Sequence, residues 1–236
     1  MTEKIDVLVV GAGISGIGAG YHLQSKCPDA NFIILEGRDK IGGTWDLFKY
    51  PGIRSDSDMY TLGYNFKPWK EQEAIADAPS ILKYLNETVE EFNLKDKIRF
   101  GKYVKKANWS SSSNSWTVDV EDKSTGDLSQ ISCSFIFMCS GYYSYKEGYT
   151  PEFEGIEDFA GDIIHPQKWD ENFDYSGKKI VVVGSGATAV TIVPEMAKKA
   201  EHVTMLQRSP TYVVAAPEKD KLANSLRKYM PLKLAY

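Results

Sequence analysis

Two mostly apolar runs, each ending at a glycine-rich turn, dominate the hydrophobic pattern of the chain. The first run covers residues 5–10 and the second covers residues 180–183. An apolar run of strand length that stops at glycine is typical of a strand buried in a parallel sheet. In both places a helix-length segment and a further apolar strand follow, so the pattern predicts two βαβ units.

The chain between these units predicts further helix and strand. Residues 80–93 place their apolar side chains on one face of a helix. Residues 99–121 surround a serine-rich turn, which indicates antiparallel strands, and residues 134–139 predict another buried strand. Residues 38–69 and 142–174 lack periodicity and are expected to be irregular, although the aromatic content of the first of these argues against disorder.

The turn after the first apolar run carries the pattern Gly-x-Gly-x-x-Gly. Gly11 permits a tight bend, Gly13 lets a pyrophosphate approach the backbone, and Gly16 lets the helix pack close to the strand. The start of the helix supplies free N–H groups, to which Ser15 adds a hydroxyl. Glu36 ends the next strand, where an acid accepts hydrogen bonds from a ribose diol. These residues predict a site for a dinucleotide such as FAD.

The turn after the second apolar run repeats this pattern with a different ending. Gly184 and Gly186 match the first two glycines, and Ala189 replaces the third, which the motif permits. Arg208 is expected where the first unit has its acid. Its planar guanidinium matches the oxygens of a 2′-phosphate, which predicts an NADPH site, whereas the alternative is a solvated arginine at a strand end.

The two fingerprints together predict an α/β fold with two Rossmann-like dinucleotide-binding modules, and a flavin-dependent oxidoreductase. Three further segments carry candidate chemistry. Trp45 follows paired glycines and is expected either to pack on a flavin or to be a core aromatic. Residues 54–58 form a charged cluster, which is either a surface turn or part of a site. His165 lies between the modules as a hinge, a sensor of the second cofactor, or a structural residue.

Composition narrows the class of function. The 236 residues have a net charge of −4, and this balance does not suggest a nucleic acid partner. The apolar runs are too short to cross a bilayer, and the N-terminus does not resemble a signal peptide. The three cysteines show neither metal spacing nor a close redox pair, which argues against a disulfide reductase and favours reduced thiols in the cytoplasm.

The segment 159–170 resembles the fingerprint of type I Baeyer–Villiger monooxygenases, Phe-x-Gly-x-x-x-His-x-x-x-Trp-Asp. The related flavin-containing N- and S-oxygenases carry Phe or Tyr in place of Trp169, so the match favours the Baeyer–Villiger branch. Within that branch, three segments are similar to the ethionamide-activating monooxygenases of mycobacteria. They are 42–64 (GGTWDLFKYPGIRSDSDMYTLGY), 139–143 (CSGYY) and 184–210. The resemblance covers essentially the whole chain.

This resemblance implies which residues contact each cofactor. FAD is expected at the fingerprint glycines Gly11, Gly13 and Gly16, at Gly43, Ser15, Glu36, Thr44, Trp45, Asp46, Leu47 and Asp56, and at the backbone of Val104. NADPH is expected at Arg54, Ser55, Asp56, Val183, Gly184, Ser185, Gly186, Ala187, Thr188, Ala189, Gln207 and Arg208. Asp56 and His165 are implied as catalytic residues, Asp56 because its counterpart in the family supports an arginine that faces the flavin.

The resemblance also implies the activity. NADPH reduces FAD, O2 then gives a C4a-peroxyflavin, and one oxygen atom is inserted into a ketone to form an ester or a lactone. Sulfides and thioamides are alternative substrates for the same chemistry. Two other hypotheses stay open, namely a flavin-containing N- or S-oxygenase and a catalytically silent nucleotide-binding module.

Members of that family are longer than this chain, so the resemblance implies that the second module is incomplete here and that residues 1–236 alone are inactive. The expected division is an FAD-binding domain at 1–141, a linker at 142–176 and the first part of an NADPH-binding domain at 177–236. The basic, leucine-bearing residues 219–236 predict a helix that packs on further parts of the protein. Peripheral membrane contact is the less favoured alternative.

Overall fold

The computed structural model describes residues 2–209, 211–215 and 217–230. The chain divides into two compact units. The first comprises Met1–Leu47 and Leu82–Tyr143, and the second comprises Phe48–Ile81 and Ser144–Tyr236. Residues 48–81 fall in the second unit, whereas the expected FAD-binding domain at 1–141 includes them. The expected domain limits stay a prediction.

The first unit is built on a mixed sheet of six strands. Its strands are β1 (Glu3–Val10), β2 (Phe32–Leu35), β3 (Ile98–Arg99), β4 (Lys102–Ser110), β5 (Ser115–Asp122) and β6 (Leu128–Met138). They lie in the order β3-β2-β1-β6-β5-β4. The first four of these are parallel, whereas β6, β5 and β4 form an antiparallel meander. The α/β class and the antiparallel strands around the serine-rich turn are therefore confirmed.

Six helices lie in the described residues. They are α1 (Ile14–Lys26), α2 (Thr44–Leu47), α3 (Met59–Leu62), α4 (Ala78–Glu91), α5 (Ala187–Met196) and α6 (Lys221–Tyr229). Two of them, α2 and α3, are short helices in the stretch 38–69 that was expected to be irregular. The predicted amphipathic helix at 80–93 is α4, and Ile81, Leu85 and Val89 on its apolar face are buried. Short 3₁₀ turns cover Lys95–Lys97, Ile156–Asp158 and Pro166–Lys168.

Apolar residues cover both faces of the sheet around β1. On one face α1 packs against β1 and β2, and its small residues make this possible. A β-carbon at Gly20 would lie 2.8 Å from Cδ1 of Ile34, so glycine lets the helix approach the strand. The main hydrophobic cluster of this sheet consists of Ile5, Leu8, Ile33, Leu35, Val118, Val120, Ile131 and Cys133. The glycine-rich turn after β1 is thereby held on a rigid base.

The prediction of a buried strand at 134–139 is wrong in one respect. The strand is present as part of β6, but Phe135 is 53% exposed and Phe137 is 40% exposed. The register with β1 places these two residues beside Val7 and Val9, on the face that α1 covers. Helix α1 packs mainly on β1 and β2, and the exposure of Phe135 and Phe137 shows that it leaves these two side chains of β6 largely uncovered. Periodicity reports the apolar character of a strand, whereas burial depends on a neighbour that the pattern does not contain.

The second unit contains the predicted second βαβ unit. It runs from β7 (Lys179–Val183) through α5 to β8 (His202–Leu206), and β7 and β8 pair in parallel. Pro194 lies inside α5. Val181 and Val183, which alternate along β7, are each 62% exposed. The pair of strands therefore presents an apolar strip to solvent.

The C-terminal basic stretch forms a helix that is anchored within the second unit. Arg227 of α6 donates to the carbonyl oxygen of Trp69 at 2.8 Å, and the side-chain amide of Asn224 donates to the carbonyl oxygen of Gln72 at 3.1 Å. Residues 231–236 of that stretch lie outside the described residues. Across residues 2–209, 211–215 and 217–230, no helix has the length and apolar character needed to cross a membrane.

Candidate functional site

The first glycine-rich turn requires glycine at two positions for reasons internal to the protein. Gly11 has a φ of +103°, and a β-carbon there would lie 2.5 Å from the carbonyl oxygen of Cys139. A β-carbon at Gly16 would lie 1.8 Å from the carbonyl oxygen of Gly11. Both distances are far below van der Waals contact, so a larger residue at either position would force the turn, β6 and α1 apart.

Gly13 in the same turn differs from its neighbours. It is the N-cap of α1, with a φ of −78° that any residue adopts. A β-carbon at Gly13 would meet Cα of Gly43 at 3.5 Å, which is an ordinary contact. Neither backbone conformation nor packing therefore explains this glycine. Its effect is to keep space open beside the free N–H groups at the start of α1, where an anion binds most readily.

Glu36 is held beside this turn by two backbone hydrogen bonds. It directly follows β2, and its side chain is buried, with 4% of the residue exposed. Its carboxylate accepts the N–H of Ala12 at 2.8 Å through one oxygen and the N–H of Arg38 at 3.0 Å through the other. A carboxylate has about four acceptor positions, so each oxygen retains one for a further donor. The structure thus brings an oriented acceptor to the predicted ribose position.

Arg38, which is not among the predicted site residues, also belongs to this frame. Its guanidinium donates to the carbonyl oxygen of Gly43 at 3.3 Å and forms an ion pair with the side chain of Asp46. The N–H of Gly42 donates to the carbonyl oxygen of Ala12 at 3.0 Å. These bonds fasten the segment before and within α2 to the first turn. The sequence feature that could have identified Arg38 is its position two residues after the predicted ribose acid, with Asp46 eight residues further on.

The other residues predicted in the first unit lie around this frame. Ser15 is exposed in the first turn of α1, and Thr44, Trp45 and Leu47 are half-buried in α2. Val104 is half-buried on β4. The N–H of Lys102, two residues before it, donates to the carbonyl oxygen of Glu36 at 2.9 Å. Val104 therefore lies two residues from a backbone hydrogen bond to Glu36, the predicted ribose acid.

The second glycine-rich turn reproduces the backbone of the first. Gly184 has a φ of +128°, and Gly186 is the N-cap of α5 with a φ of −76°. A β-carbon at Gly186 would meet nothing within 4 Å. Ala189, which stands for the third glycine, is buried in α5. This turn therefore also leaves open space at a helix start, and again at a glycine that the packing of the protein does not require.

The strand register corrects the position predicted for Arg208. The N–H of Gly11 donates to the carbonyl oxygen of Leu35, and the N–H of Gly184 donates in the same way to Leu206, at 2.7 and 2.8 Å. The residue after Leu35 is Glu36, whereas the residue after Leu206 is Gln207. Gln207 therefore takes the position of the ribose acid, and Arg208 stands one residue further on, where it is exposed. Counting along the sequence missed this because the two units differ in length.

Two hydroxyl contacts hold the second turn and were not predicted. The hydroxyls of Ser185 and Thr211 lie 2.8 Å apart. Burial raises the pKa of Tyr50, and hydrogen bonding from Thr188, in the first turn of α5, partly offsets this rise. Both partners lie far from the fingerprint in the sequence, so no local pattern could have identified them.

The charged cluster at 54–58 is part surface and part interior, and it belongs to the second unit. Ser55 is 2% exposed, and its hydroxyl accepts the N–H of Ala76 at 3.1 Å and donates to the carbonyl oxygen of the same residue. Arg54 and Asp56 on either side are exposed. Ser55 thus fixes the backbone between two charged side chains that remain available to a ligand.

His165 and Trp169 are packed within their own connector. Nδ1 of His165 accepts the N–H of Gln167 at 3.2 Å and so caps the following 3₁₀ turn. A β-carbon at Gly148 would lie 2.0 Å from Cε1 of this ring, so the imidazole rests directly on that glycine. Trp169 contacts the rings of Phe173 and Tyr175 edge to face. A structural role is therefore visible for both, and a role as hinge or sensor stays a prediction.

Comparison with known proteins gives matches that extend over nearly all of the chain. Residues 4–223 match the family model described as flavin-binding monooxygenase-like. The FAD-containing monooxygenase EthA of Mycobacterium tuberculosis is 56% identical over 237 residues, a match that covers 100% of this chain and 48% of that protein. The chain thus spans about half the length of the curated relatives it matches.

Solved structures agree with these matches. An oxidized steroid monooxygenase bound to NADP superposes with a TM-score of 0.79 at 31% identity, covering 95% of this chain and 42% of that one. A cyclohexanone monooxygenase with bound ε-caprolactone superposes with a TM-score of 0.77 at 28% identity, covering 90% of this chain and 41% of that one.

Proposed function

This chain belongs to the flavin-binding monooxygenase-like family, and we propose that it carries the FAD site and part of the NADPH site of a Baeyer–Villiger-type monooxygenase. The observation that carries the proposal is the unequal need for glycine in the first turn. Gly11 and Gly16 are required by contacts inside the protein, whereas Gly13 is not. A glycine that the fold does not need, at the positive end of a helix, fits the close approach of a pyrophosphate.

The residues of the first unit fit FAD. The N–H groups at the start of α1, with the hydroxyl of Ser15, would hold the pyrophosphate, and Glu36 would accept from the adenosine ribose. Arg38 keeps Gly43 and Asp46 beside the turn, so the α2 segment would line the flavin end. The relative named above is an FAD-containing monooxygenase. When bound, the flavin supplies electron transfer and the activation of O2.

The residues of the second unit fit NADPH better than NADH. Gly186 leaves open space at the start of α5 for a second pyrophosphate. Gln207 at the ribose position carries no charge that would repel a 2′-phosphate, and Arg208 next to it offers a cationic fork. The steroid monooxygenase that superposes on this chain was solved with bound NADP.

We further propose a ketone as the substrate class. One oxygen atom of O2 enters the bond between the carbonyl carbon and a neighbouring carbon, which gives an ester or lactone. The other oxygen atom leaves as water, with two electrons and a proton from NADPH and a second proton from solvent. The bound ε-caprolactone of the cyclohexanone monooxygenase supports this class. The protein contributes orientation and a site closed to water, and Asp56 and His165 are proposed to serve that task.

Labelling with 18O2 tests this proposal. The natural protein that carries these residues is supplied with FAD, NADPH and cyclohexanone, and separately with an aryl methyl sulfide. We expect a lactone with one 18O atom in the ring, formed only when NADPH is present. Sulfoxide without lactone would indicate an N- or S-oxygenase instead. Oxidation of NADPH to NADP+ with reduction of O2 to hydrogen peroxide and no oxygenated product, or no oxidation of NADPH at all, would contradict an oxygenase function.

A further inference from the structure

The chain around Arg54 and Asp56 is paired with residues 74–78 of the same unit. The N–H of Ser55, which stands between the two charged residues, donates to the carbonyl oxygen of Ala76 at 2.8 Å. In the other direction, the N–H of Ala76 donates to the hydroxyl of Ser55 at 3.1 Å. Ser55 and Ala76 are each only 2% exposed. The backbone position of Arg54 therefore depends on a buried partner segment.

This partner segment is held in turn by the chain that leads into helix α6. The N–H of Ala74, which is buried, donates to the carbonyl oxygen of Glu218 at 2.8 Å. The neighbouring residues Glu73 and Lys219 form an antiparallel bridge, and their side chains form an ion pair at 3.1 Å. Because Lys219 comes just before α6, the helix is linked to the chain around Arg54 through two successive sets of backbone hydrogen bonds.

Arg227 of α6 fixes the start of the same partner loop. Its guanidinium donates to the carbonyl oxygens of Trp69 at 2.8 Å and Glu71 at 3.0 Å, and to the hydroxyl of Tyr60 at 3.0 Å. The planar fork of N–H groups holds these acceptors in one arrangement, which the flexible ammonium group of a lysine does not impose. The indole N–H of Trp69 donates to the carbonyl oxygen of Glu73 at 2.8 Å. Arg227 therefore sets the shape of the loop up to the segment that pairs with Ser55.

The chain just before Arg54 lies against helix α5, which begins at the second glycine-rich turn. A β-carbon at Gly52 would lie 2.1 Å from Cγ of Glu195 in α5, so the chain touches this helix two residues before Arg54. Arg54 itself is exposed. Its guanidinium matches the oxygens of a phosphate. A cation that suits a dinucleotide thus stands on a segment that contacts the helix of the second fingerprint.

We propose that Arg227 is a positioning residue for the second dinucleotide, because it holds the loop on which the position of Arg54 depends. The inference rests on the proposed function, since it takes the start of α5 as the NADPH site and Arg54 as a residue that contacts the phosphates. Coupling between two sites acts equally in both directions. If the docking of α6 favours nucleotide binding at Arg54, then bound nucleotide favours the docked state of α6.

Binding of NADP+ to the natural, FAD-loaded protein tests this inference in a double-mutant cycle. Arg227→Met removes the donors and keeps a long side chain, and we expect it to raise the Kd for NADP+ about five- to tenfold. Lys228→Met removes the same charge from the exposed neighbouring residue and is expected to leave the Kd unchanged. In an Arg54→Met background, Arg227→Met is expected to cause no further loss, because the residue that it positions is gone.

Hydrogen exchange adds a measurement that a purely structural arginine would not affect. Saturating NADP+ is expected to slow amide exchange within α6 in the wild type and to have no such effect on α6 in Arg54→Met. An unchanged Kd in Arg227→Met, an equal loss with and without Arg54, or no effect of NADP+ on α6 in the wild type would overturn the inference. If Arg227→Met does not fold, the exchange measurement decides.

A wild-type protein that binds FAD but no NADP+ would instead overturn the proposed function of the second site. Flavin content and the melting temperature are therefore measured for the wild type and for every variant.

Discussion

Gln207 occupies, in the second βαβ unit, the position that Glu36 holds in the first. Each directly follows the residue whose carbonyl oxygen accepts the N–H of the first fingerprint glycine. The equivalence makes the two sites chemically different at one position. A carboxylate favours a free ribose diol, whereas a neutral amide followed by Arg208 tolerates and attracts a 2′-phosphate.

Gln207→Glu is therefore expected to shift the preference of the second site towards NADH. A carboxylate at this position would repel the 2′-phosphate and accept from a free diol. We expect the ratio of the Kd for NADP+ to the Kd for NAD+ to rise about tenfold, a change of about 1.4 kcal/mol. The exposed variant Gln72→Glu adds the same charge elsewhere in this unit and serves as control. An unchanged ratio would mean that Gln207 does not lie at the ribose.

Arg208→Ala is expected to weaken NADP+ binding about tenfold or more and to leave NAD+ binding nearly unchanged. The reason is that a charge-assisted hydrogen bond contributes about 1.5–3 kcal/mol, and only NADP+ carries the phosphate that would receive it. Titration of both nucleotides into wild type, Arg208→Ala and the surface control Lys199→Ala measures this. A wild type with equal affinity for the two nucleotides would show that Arg208 has no such role.

His165→Ala is expected to reduce the yield of oxygenated product per NADPH consumed while the protein keeps its flavin. The ring caps the 3₁₀ turn and rests on Gly148, so its loss would loosen the connector between the predicted modules. His165→Asn retains an acceptor for the N–H of Gln167 and should lose less. If His165→Ala is unfolded or free of flavin, the histidine has a structural role alone.

The fold could be predicted from the sequence where a local pattern decides the structure. The βαβ units have glycine-marked ends, and both were located to within a few residues. The exposure of Phe135 could not be predicted, because it depends on how far α1 reaches across the sheet. A pattern of apolar residues contains no information about the width of the neighbour that covers it.

The candidate sites were predictable at their turns and less so around them. The motif predicts that Gly13 and Gly186 let a pyrophosphate approach the backbone, and the space beside both residues is compatible with this role. Tyr50 was not predicted, since its contact with Thr188 joins distant parts of the sequence. Ser55 is expected to contact NADPH, but its hydroxyl forms hydrogen bonds with the backbone of Ala76. Composition does not show which partner a serine hydroxyl takes.

The most direct test compares FAD and NADP+ binding in two matched variants, Gly13→Leu and Gly186→Leu. Both positions are helix N-caps with nearly identical backbone angles, and the β-carbon is tolerated by the protein at each. We expect both variants to fold, as judged by circular dichroism. Gly13→Leu should be purified without flavin, and Gly186→Leu should keep its flavin and lose NADP+ binding. Undiminished flavin in Gly13→Leu, or undiminished NADP+ binding in Gly186→Leu, would contradict the assignment of the two sites.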